Sequence, residues 1–402
     1  MNKNFIRVKQ EVPNVKPLNP EEVLRKRFKK VLFPDIKGKR VAICVPSRKI
    51  INLKEIVKIA GEEIKKMGGH PFIAPAMGSH AGGDAERQIE HLRRMGISEE
   101  ETGLEILATD EVIEIFERGK RFFFEKNVYD SDYIFLINRI RPHTAFEADF
   151  GSGLMKLSAV GLGKTEGAWL AHRYGLEKYI PLAFNHLLKK GKILGGIAIV
   201  ESFRGEPVIL EVLNAKNLLE EEKRLFSISK KLLLKLPFYP VDIFIVREMG
   251  KDISGTGLDT NVIGMERRKG EGENIKCLVV LNPSLESFGN LYGIGFADII
   301  TEKIILHADW GVTYRNAFST GCLQAVKIPM VAPDDETAIE FAFSLLKTKS
   351  PGVVIAESTG RLEYLLLNEE ALKRVKRKVT VVQEGVSLSF DAQRNLITTI
   401  YP

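Results

Sequence analysis

The chain has 402 residues, of which 44% are hydrophobic and 28% are charged, a composition typical of a soluble globular protein. A single hydrophobic core stops growing near roughly 250–300 residues, so this length predicts two domains. No stretch approaches the ~20 consecutive apolar residues of a membrane span, and the N-terminus lacks the apolar segment of a secretory signal. The sequence therefore predicts a cytoplasmic protein with no membrane association.

The formal net charge of +7 could attract nucleic acid or anionic ligands. Lys and Arg are nevertheless interleaved with Glu in amphipathic segments such as residues 21–30 and 370–378, which is typical of solvated helix faces. We therefore predict no nucleic-acid partner. The three cysteines, Cys44, Cys277 and Cys322, form no CxxC motif, which fits a reducing compartment and argues against a structural zinc site.

Strand and helix patterns alternate in the first 140 residues. After an extended arm over residues 1–20 and a helix over 21–30, the predicted elements are strand Arg40–Val45, helix Asn52–Met67, strand Pro71–Pro75, helix Asp84–Met95 and strand Ser131–Ile137. This order is typical of a parallel sheet covered by helices on both faces, and such sheets bind ligands at the carboxyl ends of their strands. Arg48 and His80 each follow a predicted strand, so we expect both at that edge.

The rest of the chain predicts a second α/β domain. Its predicted elements are strand Ile193–Val200, helix Glu220–Lys235, strands Val241–Val246, Cys277–Leu281, Ile328–Val331 and Val353–Ala356, helix Glu336–Lys347, and two strands within 378–400. The segment 237–240, Pro-Phe-Tyr-Pro, is the best candidate linker, which gives domains at 1–240 and 241–402, with the last strands able to return to the first domain. The predicted fold class is thus α/β with parallel or mixed sheets flanked by helices, and we expect the active site in the cleft between the domains.

The stretch from Asn138 to Arg173 offers most of the groups that could perform chemistry. It is rich in glycine and contains His143, Lys156 and His172. Histidine suits proton transfer near neutral pH and is a common metal ligand. Together with His80, the histidines of this stretch therefore suggest either acid/base catalysis or a metal site.

Several interpretations of these residues are open. His80, His143 and His172 could hold zinc in a mononuclear metal-dependent hydrolase, although no HExxH motif occurs. Residues 158–165, Ser-Ala-Val-Gly-Leu-Gly-Lys-Thr, nearly match the phosphate loop GxxxxGK[ST] and leave a non-catalytic nucleotide-binding protein as a further alternative. Arg48 could bind a carboxylate through two hydrogen bonds.

Two further sets of residues have simpler explanations. The Gly-rich segments 254–257 and 289–295 are either tight turns or substrate loops. Structural roles are predicted for the other four histidines, His70, His91, His186 and His307.

One known family shares these residues at similar spacing. Pro142-His143, Ser152-Gly153, Lys156 and, sixteen residues later, His172 resemble the nickel-pincer-dependent lactate racemase family. Gly78-Ser79-His80 is similar to its Gly-Thr-His loop, and Ser47-Arg48 is similar to the Thr-Arg that follows its first strand. The resemblance covers residues 1–240 and extends to the remainder only as an overall layout.

The resemblance implies a specific cofactor and activity. The cofactor would be the nickel-pincer nucleotide, pyridinium-3-thioamide-5-thiocarboxylic acid mononucleotide nickel, attached covalently to Lys156 with His172 as the protein ligand of nickel. His80 and His143 would be acid/base groups on opposite sides of the substrate, and Arg48 would bind its carboxylate. The protein would then be an isomerase, a racemase or epimerase of a 2-hydroxy acid that works by hydride transfer to and from the cofactor. Such an enzyme would depend on cofactor-maturation proteins and could form a homo-oligomer.

This chain departs from the family pattern in three features. The family racemase has Gly-Gly-Arg-Lys where this chain has Gly-Leu-Met-Lys at 153–156, and its interval from histidine to lysine is shorter than the thirteen residues from His143 to Lys156. Ala81 replaces the arginine that follows the family's Gly-Thr-His. These departures extend the expected substrates from lactate to longer or more polar 2-hydroxy acids and sugar acids.

Overall fold

The computed structural model describes residues 4–48, 50–117 and 119–402. Within these ranges, none of the helices combines the length and the apolar character that crossing a membrane requires. The chain divides into two compact units. The N-terminal unit is Asn14–Leu233, and the C-terminal unit combines the chain up to Pro13 with Leu234–Pro402. The structure thus differs from the expected division in the N-terminal arm, whose strand pairs within the C-terminal unit.

The helices and strands alternate along most of the chain. The strands are β1 (Asn4–Gln10), β2 (Arg40–Val45), β3 (His70–Pro75), β4 (Val112–Glu117), β5 (Lys120–Glu125), β6 (Tyr133–Arg139), β7 (Ile193–Glu201), β8 (Pro207–Asn214), β9 (Val241–Met249), β10 (Ile275–Pro283), β11 (Ile299–Thr301), β12 (Met330–Ala332), β13 (Val353–Ala356), β14 (Tyr364–Leu367) and β15 (Val379–Ser387). The helices are α1 (Pro20–Phe28), α2 (Leu53–Lys66), α3 (Ala85–Arg94), α4 (Glu99–Thr102), α5 (Lys126–Asp130), α6 (Leu154–Lys156), α7 (Lys164–Tyr174), α8 (Leu176–Lys189), α9 (Leu218–Leu232), α10 (Thr260–Ile263), α11 (Glu302–Leu306), α12 (Trp310–Thr320), α13 (Asp335–Leu345) and α14 (Glu369–Lys373).

The N-terminal unit is built on a five-stranded sheet in the order β3-β2-β6-β7-β8, beside the separate hairpin of β4 and β5. Strands β3, β2, β6 and β7 are parallel, and β8 is antiparallel to β7. From β2 the chain passes to β3 on one side of the sheet, whereas from β6 it passes to β7 on the other side. The carboxyl ends of β2 and β6 therefore flank a topological switch point, the place where open α/β sheets bind ligands.

Helices cover both faces of this sheet because its strands bury apolar side chains on each face. Ile43 of β2 belongs to a core with Ile56 of α2, whereas the adjacent Cys44 belongs to the opposite core with Phe184 of α8. Helix α3 begins as predicted, since the side chain of Asp84 accepts a hydrogen bond from the N–H of Arg87. Such a cap stabilises a helix by about 1 kcal/mol.

The C-terminal unit holds an eight-stranded sheet in the order β12-β11-β10-β9-β13-β14-β1-β15. The five strands from β12 to β13 are parallel, and β14, β1 and β15 follow in antiparallel pairing. Val8 of β1 pairs with Leu365 on one side and with Val381 on the other. The arm expected at residues 1–20 thus includes an inner strand of the sheet. The predicted α/β class with parallel and mixed sheets is confirmed.

Candidate active site

Three of the predicted site residues follow neighbouring parallel strands of the N-terminal unit. Arg48 lies three residues after β2, His80 five residues after β3 and His143 four residues after β6. The carboxyl ends of parallel neighbours meet at one edge of a sheet. The structure therefore brings the loops of these three residues to the same edge, beside the topological switch point.

The loops after β2 and β3 contact each other through side chains. Ser47 Oγ lies 3.1 Å from His80 Nδ1, and His80 Nδ1 also lies 3.1 Å from the carbonyl oxygen of Met77. On α3, His91 places Nε2 2.8 Å from the carbonyl oxygen of Ser47. His91, predicted to be structural, thus holds the loop that carries Ser47 and Arg48.

The loop that carries His80 has an unusual backbone. Ala81 has φ +55°, and the two glycines that follow it are also left-handed, with φ +75° and +80°. A non-glycine residue in this region is uncommon and persists only where its surroundings hold it. The buried side chain of Gln88 provides that hold, because its Nε2 donates to the carbonyl oxygens of Gly78 and His80 at 3.0 Å each.

Glycines join the His80 loop to the segment that follows Lys156. The N–H of Gly78 donates to the carbonyl oxygen of Gly161 at 2.8 Å. A Cβ on Gly161 would lie 2.6 Å from the carbonyl oxygen of Ala76, closer than any side chain tolerates. The two backbones can approach in this way only because glycine stands at this position. Residues 76–80 and the π-helical turn Leu157–Gly161 therefore form one packed unit.

The short helix α6 carries Lys156 and is fixed by two buried groups. Glu222 of α9 is 1% exposed, and its Oε2 accepts a hydrogen bond from the N–H of Met155 at 3.1 Å. Asn138, at the end of β6, donates through Nδ2 to the carbonyl oxygen of Gly153 at 2.9 Å. Burial raises the pKa of Glu222 to about 7, although hydrogen bonds from backbone N–H groups oppose that rise.

Positive charge is concentrated around Lys156. Burial lowers the pKa of Lys156 to about 8, and the charges of Arg48 and Arg139 add to the effect. Burial likewise lowers the pKa of Arg48 to about 10, with smaller contributions from Arg139 and Arg141. Arg139 forms an ion pair with Glu201 at 3.1 Å. The guanidinium groups of Arg48 and Arg139 beside the amine of Lys156 make a site that attracts anions such as carboxylates and phosphates.

The His143 loop is closed on itself. Arg141 and Ser152 exchange two backbone hydrogen bonds, of 3.0 and 2.8 Å, which bring the ends of the loop together. Inside the loop, the N–H of Ala145 donates to His143 Nδ1 at 3.0 Å. The imidazole also stacks on Phe146, with the ring centroids 4.8 Å apart. The orientation of the His143 ring is therefore fixed by short-range contacts.

Helix α7 carries His172 in its last turn, where this residue is half-buried, and packs against the turn that follows Lys156. At the start of α7, Lys164 is 2% exposed, has φ +53° and donates through Nζ to Gln88 Oε1 at 3.0 Å. A lysine turned inward after a π-helical turn is not the arrangement of a phosphate loop. In the described ranges, no three or more His, Cys, Asp or Glu side chains are grouped to hold a metal ion, so the structure gives no support to the three-histidine zinc site.

The Gly-rich segments of the C-terminal unit pack on each other. A Cβ on Gly257 would collide with the carbonyl oxygen of Tyr292, and a Cβ on Gly293 would collide with that of Thr256. Ser254 and Thr256 are buried, and Thr256 Oγ1 donates to the carbonyl oxygen of Leu258, just after the segment, at 2.6 Å. These glycines are therefore explained by close backbone packing.

Sequence reasoning missed four residues of the site. Arg139 is the last residue of β6 and Arg141 lies two residues later, in the segment Asn-Arg-Ile-Arg, and that position could have indicated them. Gln88 lies on the buried face of α3, and Glu222 lies in the run Glu-Glu-Glu of α9, which is typical of a solvated helix face. Glu222 lies four residues after Leu218 and three before Leu225, and this helical spacing places it on the apolar face of α9, which could have indicated its burial.

A scan against protein-family models and a search of curated proteins return no match. Among solved structures, the lactate racemase apoprotein from Thermoanaerobacterium thermosaccharolyticum matches with a TM-score of 0.57 at 11% sequence identity, over 89% of this chain and 99% of that chain. At such low identity the likeness establishes the fold alone. The chain thus has the fold of the lactate racemase apoprotein, as the resemblance of its N-terminal half predicted.

Proposed function

We propose that this protein is an isomerase that racemises or epimerises a 2-hydroxy acid by means of a nickel-pincer nucleotide bound at Lys156. The observation that carries the proposal is Lys156 itself. It lies on a fixed turn, its pKa is lowered to about 8 by burial and by Arg48 and Arg139, and its segment is packed against the loop of His80. A lysine in such surroundings is partly a neutral amine at neutral pH and can act as a nucleophile.

The residues around Lys156 fit such a cofactor. The neutral amine suits a covalent attachment, and the guanidinium groups of Arg139 and Arg141 suit a ligand with a phosphate and thiocarboxylate charges. A metal ion that is already bound by sulfur and carbon donors of its cofactor requires few ligands from the protein. His172 would be the protein ligand of the nickel ion.

The other side chains have roles that follow from the reaction. When bound, the cofactor supplies the acceptor for the hydride that leaves C2 of the substrate. Arg48 would bind the substrate carboxylate through two hydrogen bonds. His80 would take the hydroxyl proton of one enantiomer, and His143 would serve the hydroxyl of the other, because inversion moves the oxygen to the opposite face.

Intact-protein mass and metal content test the proposal directly. The protein would be produced with and without cofactor-maturation proteins, alongside the matched variant Lys156→Arg, which keeps the positive charge but cannot form the thioamide. We expect an adduct of a few hundred daltons and nickel only in the wild-type protein from the maturation host. That protein should racemise lactate or a longer 2-hydroxy acid, measured by chiral chromatography.

Two results would reject the proposal. One is wild-type protein from the maturation host with neither adduct nor nickel. The other is an adduct that persists in Lys156→Arg, which would place the attachment elsewhere. Zinc without an adduct would instead support the metal-dependent hydrolase.

A further inference from the structure

The hydrogen bonds of the two candidate bases differ in kind. His80 Nδ1 lies 3.1 Å from the carbonyl oxygen of Met77, and a carbonyl oxygen can only accept. Nδ1 therefore carries the proton when the ring is neutral. Ser47 Oγ, 3.1 Å from the same nitrogen, can share that proton as a second acceptor. The neutral His80 ring then has an unprotonated Nε2, which is the form that accepts a proton from a substrate.

His143 has the opposite arrangement. Its Nδ1 lies 3.0 Å from the backbone N–H of Ala145, and a backbone N–H can only donate. Nδ1 is therefore the acceptor, and the neutral His143 ring carries its proton on Nε2. In this form Nε2 can donate a hydrogen bond but cannot accept a proton. Proton acceptance by His143 requires that Nδ1 be protonated and the bond from Ala145 be broken.

We infer that the resting protein holds His80 as the Nδ1–H tautomer and His143 as the Nε2–H tautomer, so that His80 alone is set to accept a proton. The consequence of these tautomers for catalysis rests on the proposed function. The resting enzyme would accept first the enantiomer whose hydroxyl faces His80, and the proton taken up at His80 Nε2 would later return to solvent. His143 would begin as a hydrogen-bond donor to the substrate oxygen, and it would give up its Nε2 proton only after a solvent proton reaches Nδ1, so that the ring stays neutral after the transfer. The opposite direction would begin only after the proton of His143 moves from Nε2 to Nδ1.

The different tautomers of His80 and His143 can affect the kinetic constants for the two enantiomers, but the reaction equilibrium limits how. For a compound with a single stereocentre the two enantiomers have equal free energy, so kcat/KM must be the same in both directions. Where the movement of the His143 proton limits turnover, the holoenzyme would have unequal kcat values for the two enantiomers, compensated by KM values unequal by the same factor.

Nitrogen-15 NMR of the histidines tests the inference in protein without cofactor. The chain has 7 histidines, so selective labelling gives a simple long-range correlation spectrum, and the variants His80→Gln and His143→Gln assign the two rings. At a pH where both rings are neutral, we expect a protonated Nδ1 in His80 and a protonated Nε2 in His143. The same tautomer in both rings would overturn the inference.

Two variants connect the tautomers to the named hydrogen bonds. Ala145→Pro removes the N–H that donates to His143 and should give the Nδ1–H form of His143 a measurable population. Ser47→Ala is the matched control and should leave His80 as the Nδ1–H tautomer, because the carbonyl oxygen of Met77 remains. If Ala145→Pro fails to fold, the wild-type spectrum still decides. The outcome is also separable from the proposed function, since the spectrum needs neither adduct nor turnover.

Discussion

Lys156 is expected to react with amine reagents at a pH where an ordinary lysine is almost fully protonated. With a pKa of about 8 in place of 10.5, roughly one Lys156 in ten is neutral at pH 7, against about one ordinary lysine in 3,000. The neutral amine is the reactive form, so at neutral pH Lys156 has a roughly 300-fold larger reactive fraction. The pKa of Lys156 is lowered because burial disfavours the charged ammonium and because the nearby guanidinium groups repel it.

Competitive acetylation at limiting reagent measures this property in protein without cofactor. The acetylated fraction of each lysine-containing peptide would be quantified by mass spectrometry at a series of pH values, with exposed Lys189 as the internal reference. Labelling of Lys156 should reach half its maximum near pH 8. The variant Arg48→Met removes one repelling charge and should move that midpoint to higher pH. The midpoint should cover less than half of the interval between pH 8 and pH 10.5, because burial contributes more than Arg48 to the lowered pKa of Lys156.

Two results would refute the reasoning. A labelling curve for Lys156 that coincides with that of Lys189 would show that its surroundings do not favour the neutral amine. A midpoint near pH 8 that is unchanged in Arg48→Met would keep the role of burial but remove Arg48 as a second cause.

Three further predictions concern the histidines and Glu222. His80→Ala and His143→Ala should each lower racemisation in both directions by roughly 10²–10⁴-fold while nickel and the adduct are retained, and loss of metal from either variant would contradict their acid/base roles. His172→Ala should lower nickel content, measured by elemental analysis, without changing the circular dichroism spectrum; unchanged nickel would make this residue structural. The pKa of Glu222, raised from 4.5 to about 7, means that the folded state retains a proton which the unfolded state releases. The free energy of unfolding should therefore fall by up to about 3 kcal/mol as pH rises from roughly 4.5 to 7, and urea unfolding of Glu222→Gln should lack that decline. Parallel pH profiles for the two proteins would reject the assignment.

The sequence was most informative where local patterns determine structure. Strands β2 and β13 have their predicted bounds, because each is a run of four to six residues rich in β-branched side chains, too short for a buried helix. Strand β1 was missed because its pairing partners, β14 and β15, lie more than 350 residues away in the chain. The hairpin of β4 and β5 was missed as well, although its two strands are neighbours in sequence.

The candidate site shows the same division between local and distant information. Arg48 and His80 could be placed from the strands that precede them. The positive potential at Lys156 could not, because it depends on two strands lying side by side in the folded sheet. The support that Glu222 gives to α6 comes from a residue 67 positions beyond Met155 in the chain, and only the folded structure shows it.

Strand β1 is synthesised long before the strands with which it pairs. This strand is synthesised before the N-terminal unit, whereas both of its neighbours in the sheet, β14 and β15, are synthesised after that unit. The N-terminal unit is a continuous segment and can fold while the remainder is still being translated. During that interval the backbone groups of β1 have no strand to pair with, and an unpaired strand is a template for association with other chains. Strand β1 carries two positive charges, Arg7 and Lys9, within seven residues. Charged side chains of this kind oppose aggregation of a strand that is still unpaired.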